Sequence, residues 1–301
     1  MQRVFAVVPT YRPEPDVLER LDLLSPQVDA VIVVDDGSPA SSDSVLASIE
    51  ARGYVVLRQG VNTGIAAALN RGASLALDQG ADFVLTLDQD TVVPADYVAV
   101  ALSVFATATP ATRLGVVASD LVNGHPAIPP RRSPEGLGLV GEAIQSGMVI
   151  SAECLREGGP FDESYFIDCV DTEYCVRIVQ RGFRISIAKG TNLLHALGQQ
   201  VPKRPFGFPL MNDGAPVLYQ YHSPYRRYFI TRNNIDMWFR FARSQPRWVL
   251  AVIRREVPTG LIIAVSGPRR IKQAIALVAG TFDGLARRLG PMPDRLRRLL
   301  G

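Results

Sequence analysis

Apolar and polar positions follow two alternating patterns through the first 120 residues of the chain. Short runs rich in Val, Ile and Leu predict buried strands, and segments with apolar residues every three or four positions predict helices. Because continuous β-branched strands alternate with helices, we predict an α/β fold with a largely parallel sheet covered on both faces. The predicted strands are 3–9, 28–36, 54–59, 81–90 and 113–119, and the predicted helices are 16–24, 43–53, 62–80 and 95–108.

The pattern changes in the second part of the chain. The stretch 123–141 is rich in Pro and Gly and predicts a mobile loop. The next segment, "EAIQSGMVIS" (142–151), predicts a strand, and "SAECLREGG" (151–159) predicts a helix. A further helix is predicted within "PFDESYFIDCVDTEYCVRIVQRG" (160–182), which carries several acidic residues before and inside it.

The modest net charge of +3 over 301 residues conceals a strong asymmetry. Residues 226–301 hold 16 Lys and Arg against 4 Asp and Glu, a net charge of +12, while residues 1–225 hold 16 against 25, a net charge of −9. We therefore predict two parts, a globular domain over 1–225 and a basic amphipathic helical tail over 226–301.

The basic tail predicts an anionic partner. Its basic residues are mixed with apolar runs such as "WVLAVI" (248–253) and "LIIAV" (261–265), which favours a membrane surface over nucleic acid. Both runs are shorter than the roughly 18 residues of a spanning helix, so interfacial helices are predicted. The alternative is a solvated basic tail packed on the domain. With no secretory signal at the N-terminus, we expect a cytoplasmic protein, peripheral on the inner face of the cell membrane.

Two carboxylates stand at the end of the predicted strand 81–90, within "VLTLDQDTVV". Because a buried carboxylate without a partner is costly, Asp88 and Asp90 require a cation or a polar opening. An extended Asp-x-Asp segment points both side chains to one side, and Mg²⁺ or Mn²⁺ takes carboxylate ligands while bridging nucleotide phosphates. The sequence predicts such a metal site here, with an exposed acidic turn as the alternative.

Other polar residues follow the ends of neighbouring strands. Thr10 ends the first strand, and Asp35 and Asp36 end the second in "IVVDDGSP", where they can accept hydrogen bonds from a base or a ribose. An Asx turn, with Ser41 or Ser42 capping the next helix, is the alternative. Asn62 and Gly64 stand at a predicted helix start, whose N–H groups favour anionic ligands. Neither GxGxxG nor GxxxxGK[ST] occurs, which argues against dehydrogenases and P-loop enzymes.

Six motifs occur in order: "VVPTY", "VVDDGS", "NTGIAAALNRG", "LDQD", "QSGMVIS" and "FDESYFIDCVDTEYCVRIVQRG". Together they resemble inverting glycosyltransferases of family 2, and most closely bacterial rhamnosyltransferases. The resemblance extends from about Val4 to His195, and the later "YHSPYRRYFITRNNI" is similar to the same subgroup. It implies a GT-A fold with a mixed, mainly parallel sheet flanked by helices, and also a nucleotide-sugar donor, a divalent metal and an inverting displacement at the anomeric carbon.

The resemblance also implies roles for individual residues. The second acid of the metal motif, Asp90, would bind the metal, and the first, Asp88, would contact the donor and the metal. His195 would be a further metal ligand, although the residues alone favour a buried core histidine. Gln89 receives no catalytic role. The residues expected to line the donor are Thr10, Tyr11, Asp35 or Asp36, Asn62, Gly64 and Gly147.

Inversion requires a base that takes the proton of the acceptor hydroxyl as the new bond forms. The segment "FIDCVDTEYCVR" resembles the family's catalytic segment, and Asp171 stands at the position of its base. Asp168 and Glu173 are close alternatives, and Glu173 is also assigned to substrate binding. Without the resemblance, carboxylates at a helix start are equally typical of caps. The other histidines, His125 and His222, have no comparable support, and the three cysteines are interpreted as buried thiols.

These inferences predict a metal-dependent inverting glycosyltransferase that moves L-rhamnose from dTDP-L-rhamnose to a polysaccharide or lipid-linked glycan. The donor rests on the resemblance alone. One alternative is a transferase of the same family that uses UDP-galactofuranose, UDP-glucose or another UDP-hexose. Another is a non-catalytic binding subunit of a glycan assembly complex, which the intact acidic residues and His195 disfavour. A nucleotidyltransferase is disfavoured because "PTYRPEP" lacks a Gly-rich basic loop. The sequence also leaves open the possibility that the protein forms a homo-oligomer.

Overall fold

The structure is a computed structural model that describes residues 2–195, 200–204, 208–266 and 268–301, without the side chains of 265 and 266. The chain divides into two compact units. The first unit consists of Met1–Glu163 and Val170–Ala196, and the second consists of Ser164–Cys169 and Leu197–Gly301. A short segment from the middle of the chain therefore belongs with its C-terminal part.

In the first unit, strands and helices alternate in the predicted order up to residue 122, with short 3₁₀ turns at Ser25–Gln27 and Ala40–Ser42. The elements of this unit are β1 (Val4–Thr10), α1 (Val17–Leu24), β2 (Ala30–Asp35), α2 (Asp43–Ala51), β3 (Val55–Arg58), α3 (Ile65–Asp78), β4 (Phe83–Thr86), α4 (Tyr97–Thr107), β5 (Leu114–Val122), β6 (His125–Pro126), β7 (Arg131–Arg132), β8 (Gly138–Val140), β9 (Met148–Ser151), α5 (Ala152–Gly158), α6 (Val170–Gln180) and β10 (Arg184–Leu193).

These strands form one ten-stranded sheet in the order β3-β2-β1-β4-β9-β5-β10-β8-β7, with β6 beside β5. The pairs β3–β2, β2–β1, β1–β4 and β5–β10 are parallel, whereas β9 is antiparallel to both β4 and β5. The predicted class, a mixed sheet with a large parallel part flanked by helices, is confirmed. The pattern did not reveal that β9 runs against its neighbours, because a buried strand reads the same in either direction.

The stretch predicted as a mobile loop, 123–141, contains three short strands. Residue Val140 of β8 is the register partner of Ile185 in β10, and β7 pairs with β8. The Ser186 hydroxyl also donates a hydrogen bond to the Gly138 carbonyl at 2.9 Å. The prediction of a plain loop was wrong here because local Pro and Gly content does not report pairing with a distant strand, which satisfies backbone groups at the sheet edge.

The core of the first unit fixes where the strand ends lie. All seven residues of β1 are buried, and its side chains pack with those of β2, β4 and the adjacent helices. The register aligns Thr10 with Asp35 and Val7 with Thr86. Because β1, β2 and β4 are parallel, their carboxyl ends open at one edge of the sheet, which is where ligands gather in α/β folds.

The second unit is built mainly from helices, together with two short two-stranded antiparallel sheets. Its helix α9 crosses α7 closely through two glycines. A Cβ atom on Gly280 would lie 2.7 Å from the Tyr228 carbonyl oxygen, and one on Gly284 would lie 2.8 Å from the Arg232 carbonyl oxygen. The elements of this unit are β11 (Gln200–Pro202), β12 (Met211–Asn212), β13 (Ala215–Pro216), β14 (Leu218–Gln220), α7 (Pro224–Phe241), α8 (Pro246–Ser266), α9 (Arg270–Leu285) and α10 (Asp294–Leu300).

Helix α8 is the longest described helix, with 21 residues. Charged residues at positions 254–256 and Pro258 interrupt its apolar runs. Over the described part of the chain, no helix combines the length and the apolar character that crossing a bilayer would require.

Candidate active site

Two buried polar side chains lie together at the carboxyl ends of β1 and β2. Thr10 and Asp35 are register partners and both are buried. The Thr10 hydroxyl oxygen and one Asp35 carboxylate oxygen make no hydrogen bond, while the other Asp35 oxygen accepts the Ser38 N–H at 3.2 Å. Buried polar atoms are rarely left unsatisfied, so this pair is suited to a ligand that forms hydrogen bonds.

Asp36, the second acid of the pair, is engaged by the protein itself. Its carboxylate accepts hydrogen bonds from the Thr63 N–H at 2.7 Å, the Thr63 hydroxyl at 3.0 Å, the Gln59 amide at 3.0 Å and the Gly64 N–H at 2.9 Å. Burial raises the pKa of Asp36, and the Thr63 hydrogen bonds oppose that shift. Asp36 thus ties the end of β2 to the start of α3, and Asp35 is the acid with an oxygen left for a ligand.

The remaining residues predicted to line the nucleotide lie in loops at the same edge. Tyr11 follows β1 and is 41% exposed, and Asn62 is also exposed. The loop after β2 contacts Asn62 directly, since a Cβ atom on Gly37 would lie 2.5 Å from its backbone nitrogen. Gly64 adopts a φ of 97° and donates its N–H to Asp36, so it shapes the turn into α3.

Asp88, Asp90 and His195 come together beyond β4. One ligand atom from each lies within 4.8 Å of the others. His195 Nε2 is 3.8 Å from Asp88 Oδ2, and His195 Nδ1 is 3.3 Å from Asp90 Oδ1. Asp90 Oδ1 is enclosed and makes no hydrogen bond. Two carboxylates and an imidazole suit Mn²⁺, and the carboxylates suit Mg²⁺, so the residues fit a divalent cation.

Residues that the sequence analysis did not single out hold this cluster in place. The Thr91 hydroxyl lies 2.9 Å from His195 Nδ1 and 2.6 Å from the Ser146 hydroxyl. The Ser146 hydroxyl accepts the Asp88 N–H at 3.0 Å. The Asn123 side chain spans the backbone of His195, donating to its carbonyl at 2.7 Å and accepting its N–H at 3.0 Å. Thr91 follows the motif "LDQD" and Ser146 belongs to "QSGMVIS", but neither motif indicated these contacts, and Asn123 lies outside the six motifs.

Gln89, between the two acids, joins the cluster to the nucleotide end of β1. Its side-chain oxygen accepts the Tyr11 N–H at 3.0 Å, and its side-chain nitrogen donates to the Tyr11 carbonyl at 3.3 Å. The Arg20 guanidinium donates to the Gln89 carbonyl at 3.3 Å and pairs with Asp16 at 2.6 Å. Gln89 therefore has a positioning role that the sequence did not predict.

Asp171 lies near the start of α6 in a cleft of the first unit of about 300 Å³. Its carboxylate accepts the Thr172 N–H at 2.8 Å and the Gln145 N–H at 3.3 Å, which fixes its orientation. Most of the lining is apolar, and Glu142 and His125 supply the other titratable side chains. The cleft is lined by Ala118, Ser119, Val122, His125, Pro126, Ala127, Val140, Glu142, Ala143, Ile144, Asp171, Thr172 and Ile187.

The two alternative bases have different surroundings. Glu173 is fully buried, and Arg177 donates to its two oxygens at 2.9 and 3.0 Å while also bonding the Gly158 carbonyl. This internal ion pair ties α6 to the end of α5, and Glu173 does not join the strand-end group. Asp168 belongs to the second unit, where its carboxylate accepts a hydrogen bond from Arg226 Nε at 3.1 Å.

Gly147 is a point of close packing. Its φ is 97°, and a Cβ atom there would lie 2.2 Å from Leu193 Cδ1. Its N–H donates to the Thr86 carbonyl at 2.7 Å, and its carbonyl accepts the Tyr97 hydroxyl. The position requires glycine because it brings the start of β9 against β10, next to the strand that carries the metal motif.

The cysteines are free thiols. Cys154 and Cys175 are buried, and burial raises the pKa of Cys154 to about 12, so its thiol stays protonated at neutral pH. Cys169 is only partly buried, which differs from the expectation of three buried thiols.

The comparisons with known proteins cover part of the chain by sequence. Residues 5–135 match the family described as Glycosyl transferase family 2, a region that holds Thr10, Asp35, Asp88 and Asp90. The dTDP-rhamnosyl transferase RfbF of Shigella flexneri is 32% identical over 146 residues, which is 47% of this chain and 44% of that protein. The chain thus matches less than half of this relative's length. The resemblance to family 2 is confirmed over residues 5–135, which hold the first four of the six motifs.

Solved structures share the fold over a larger part of the chain. The mannosyltransferase PcManGT from Pyrobaculum calidifontis, in complex with GDP-Man and Mn²⁺, has a TM-score of 0.57 at 18% identity, covering 95% of this chain and 88% of that one. GalNAc-T7 with UDP, GalNAc and Mn²⁺ has a TM-score of 0.55 at 14% identity, with coverages of 65% and 44%. The TarS 1–349 structure from S. aureus with UDP-GlcNAc reaches 0.51 at 15% identity, with coverages of 94% and 72%. The fold is of the GT-A type.

Proposed function

We propose that this protein is a metal-dependent inverting glycosyltransferase. The observation that carries the proposal is the group at the carboxyl edge of the sheet, where Asp88, Asp90 and His195 lie within ligand distance of one another. Two further polar side chains with unsatisfied atoms, Thr10 and Asp35, end neighbouring strands of the same sheet. The family match over residues 5–135 and the GT-A fold support the same activity.

The proposed donor is dTDP-L-rhamnose. The Asp35 carboxylate would accept a hydrogen bond from the base or the ribose, and the Thr10 hydroxyl would donate one to it. Tyr11 and Asn62 would lie beside them at the surface of the same sheet edge. The choice of dTDP-rhamnose is supported by the name of the Shigella flexneri relative. A UDP-sugar is the second candidate, because a strand-end acid serves either pyrimidine nucleotide, and TarS is described in complex with UDP-GlcNAc.

Asp88, Asp90 and His195 would hold Mg²⁺ or Mn²⁺. The enclosed, unbonded Oδ1 of Asp90 supports a role for a cation, because a carboxylate oxygen in that environment needs a positive partner. A divalent cation there would offset negative charge on the departing nucleotide diphosphate. The hydroxyls of Thr91 and Ser146 would keep the ring of His195 and the backbone of Asp88 in position.

Asp171 is the proposed general base. Its carboxylate would take the proton of the acceptor hydroxyl while that oxygen bonds to the anomeric carbon and the bond to the diphosphate breaks. The hydrogen bonds from Thr172 and Gln145 orient the carboxylate in its cleft. The mostly apolar lining of the cleft would accept one face of an acceptor sugar, and a growing polysaccharide or a lipid-linked glycan is the proposed acceptor.

We also propose that the protein lies on the inner face of the cell membrane through an outer face of α8 and α9. On α9, Ile271, Val278, Phe282 and Leu285 lie on one side of the helix and each is more than half exposed. Contiguous exposed apolar surface of this kind is typical of membrane or partner contacts. No spanning segment is involved.

The exposed side of α8 has the composition of an interfacial helix. Arg247, Leu250, Arg254, Val257 and Leu261 follow one another at steps of three and four residues, and all are exposed. Apolar side chains alternating with arginines can enter the headgroup region while the guanidinium groups meet anionic lipid. The outer face is defined as these five residues together with the four apolar residues of α9.

Titration of the full-length protein with dTDP and UDP in the presence of Mn²⁺ tests the nucleotide assignment. The proposal predicts tighter binding of dTDP than of UDP, and loss of most of that binding on chelation. Tighter UDP binding would favour the alternative donor. Binding of neither nucleotide would favour a non-catalytic subunit.

A further inference from the structure

The second unit buries a positive charge that forms no ion pair with any of the residues that the structure describes. Arg227, in the first turn of α7, is 3% exposed, and its Nε is enclosed without a hydrogen-bond partner. Burial lowers the pKa of Arg227, against the nearby charges of Glu256 and Asp168. An isolated buried cation is costly unless an anion or an acceptor reaches it.

The acids near Arg227 already have other partners. Asp168 pairs with Arg226, which donates to it from Nε at 3.1 Å. Glu256 pairs with Arg255 at 2.9 Å. Within the described part of the chain, no carboxylate forms an ion pair with Arg227. Three arginines therefore face two carboxylates, and one positive charge is left over.

Other polar atoms around Arg227 lack partners too. The Tyr219 hydroxyl is enclosed without a hydrogen bond, and Tyr219 lies close enough to act electrostatically on Arg227. The Gln273 amide nitrogen donates to the His222 carbonyl at 2.9 Å, but its oxygen is buried and unsatisfied. Burial and the charge of Arg226 lower the pKa of His222, so its ring is neutral at pH 7. Arg227 and Tyr219 therefore offer two donors that lack an acceptor.

The position in α7 adds to the argument. Ser223 caps this 18-residue helix by accepting the Arg226 N–H, and two arginines occupy the first turn. Basic residues are unfavourable at a helix N-terminus, whose free N–H groups favour anions. The two arginines and the N-terminus of α7 are both positive and usually destabilise each other, but an anion bound between them would stabilise both.

We propose that Arg227, Tyr219 and the start of α7 form a binding site for a phosphate-type oxyanion. The guanidinium group of Arg227 and the phenol of Tyr219 would donate hydrogen bonds to the oxyanion. Two sources carry this chemistry: a nucleotide diphosphate and an isoprenoid diphosphate. Naming these two sources rests on the proposed function, but the site itself stands on the residues of the second unit.

The test uses the full-length protein in EDTA, so that the cation cluster contributes nothing. Inorganic pyrophosphate is titrated by calorimetry, and Tm is followed in parallel. We expect saturable binding and a rise in Tm for the wild type, and binding weaker by about tenfold or more in Arg227→Met. Arg227→Met should be at least as stable as the wild type without the anion, because it removes an unpaired buried charge. Arg247→Met, which removes an exposed arginine of α8, is the matched control and should bind normally.

Tyr219→Phe keeps the ring and removes one donor, so it tests the site even if Arg227→Met does not fold. It should weaken pyrophosphate binding while leaving Tm without pyrophosphate unchanged. Parallel titrations with dTDP and with a short-chain isoprenyl diphosphate distinguish the sources, and preference for either supports the site. The proposal would be overturned if the wild type did not bind pyrophosphate, or if Arg227→Met and Tyr219→Phe both bound it as tightly as the wild type. None of these measurements depends on sugar transfer.

Discussion

Asp90 has the environment that most clearly requires a positive partner. One of its oxygens is enclosed without a hydrogen bond and lies 3.3 Å from a ring nitrogen of His195. In the absence of a cation, Asp90 and Asp88 repel each other, and the imidazole of His195 and the nearby guanidinium of Arg20 offer partial relief. A bound divalent cation would reverse this balance, which makes the cluster a site where metal binding and stability are linked.

The first prediction concerns this linkage. Asp90→Asn should abolish metal-dependent turnover of the donor and remove the rise in Tm that Mn²⁺ produces in the wild type, because the amide is a weaker ligand. Thermal unfolding with and without Mn²⁺ measures the effect. Asp96→Asn, at the N-cap of α4 and outside the cluster, is the control. An unchanged Mn²⁺ response in Asp90→Asn would contradict the assignment.

The second prediction separates the base from its neighbour in α6. Asp171→Asn should lower kcat by roughly 10²-fold or more with little change in donor affinity, because it removes a proton acceptor without changing shape. Glu173→Gln should instead lower Tm, since it breaks a buried ion pair with Arg177. Steady-state kinetics and thermal unfolding of both variants decide the matter. If Asp171→Asn keeps its rate while Glu173→Gln remains folded and loses activity, Glu173 and not Asp171 is the general base.

The sequence predicted individual chemical groups better than their supports. Asp88, Asp90 and His195 could be named because carboxylates after an apolar strand, together with the motif resemblance, point to a metal. The supporting roles of Thr91 and Ser146 could not be predicted, because a hydroxyl within or next to a motif has the same local signal whether it bonds a ligand or faces solvent. Likewise, the choice between Asp35 and Asp36 depends on which carboxylate the start of α3 engages, and the local pattern is identical for both.

At the scale of elements, the connection from β2 to α3 works as one unit. Asp36 accepts hydrogen bonds from Thr63 and Gly64, which begin the helix, while Asp35 ends the strand beside Thr10. One acid builds the loop and the other faces the position proposed for the nucleotide. Under the proposed function, Asp36 has the structural task and Asp35 has the binding task.

The third prediction follows from this division. Asp36→Ala should lower the free energy of unfolding by roughly 1–3 kcal/mol, because it leaves several buried N–H and O–H donors without an acceptor. Asp35→Asn should change stability little and weaken nucleotide binding. Urea unfolding and nucleotide titration of the two variants measure these effects. A large loss of stability in Asp35→Asn, with normal nucleotide binding, would contradict the division.

The order of strands and helices in the first unit was predictable because buried parallel strands give continuous apolar runs and their helices do not. The direction of β9 and the short strands β6 to β8 were not, because pairing with β5 and β10 depends on residues far away in sequence. Confirmation of the fold class therefore rests on the regular elements, while the edge of the sheet emerged only from the structure.

At the scale of the whole molecule, charge and apolar exposure coincide. Residues 226–301 carry a net charge of +12, and the outer face of α8 and α9 exposes large apolar side chains among arginines. Each basic residue near an anionic bilayer contributes about 1 kcal/mol, so several together give salt-sensitive association. The charge asymmetry was visible in the sequence, but which apolar residues stay exposed depends on how α9 packs on α7.

The fourth prediction concerns this outer face. Val278→Glu combined with Phe282→Glu should greatly reduce sedimentation with anionic vesicles at low salt, because both side chains are exposed and apolar in the native protein. Ile128→Glu, an exposed apolar residue of the first unit, is the matched control and should bind normally. Neutral vesicles should bind little of the wild type or of the Ile128→Glu control. Failure of the wild type to bind anionic vesicles would instead favour a contact between two copies through this face.

The most direct test of the proposed activity is transfer of labelled rhamnose from dTDP-β-L-rhamnose to a panel of rhamnan, O-antigen and lipid-linked acceptors, with NMR of the new linkage. We predict that the wild type with Mn²⁺ or Mg²⁺ releases dTDP and forms an α-linked product, the inverted configuration, and that EDTA, Asp90→Asn and Asp171→Asn each suppress it. A β-linked product, or transfer that persists in EDTA and in both variants, would contradict a metal-dependent inverting glycosyltransferase.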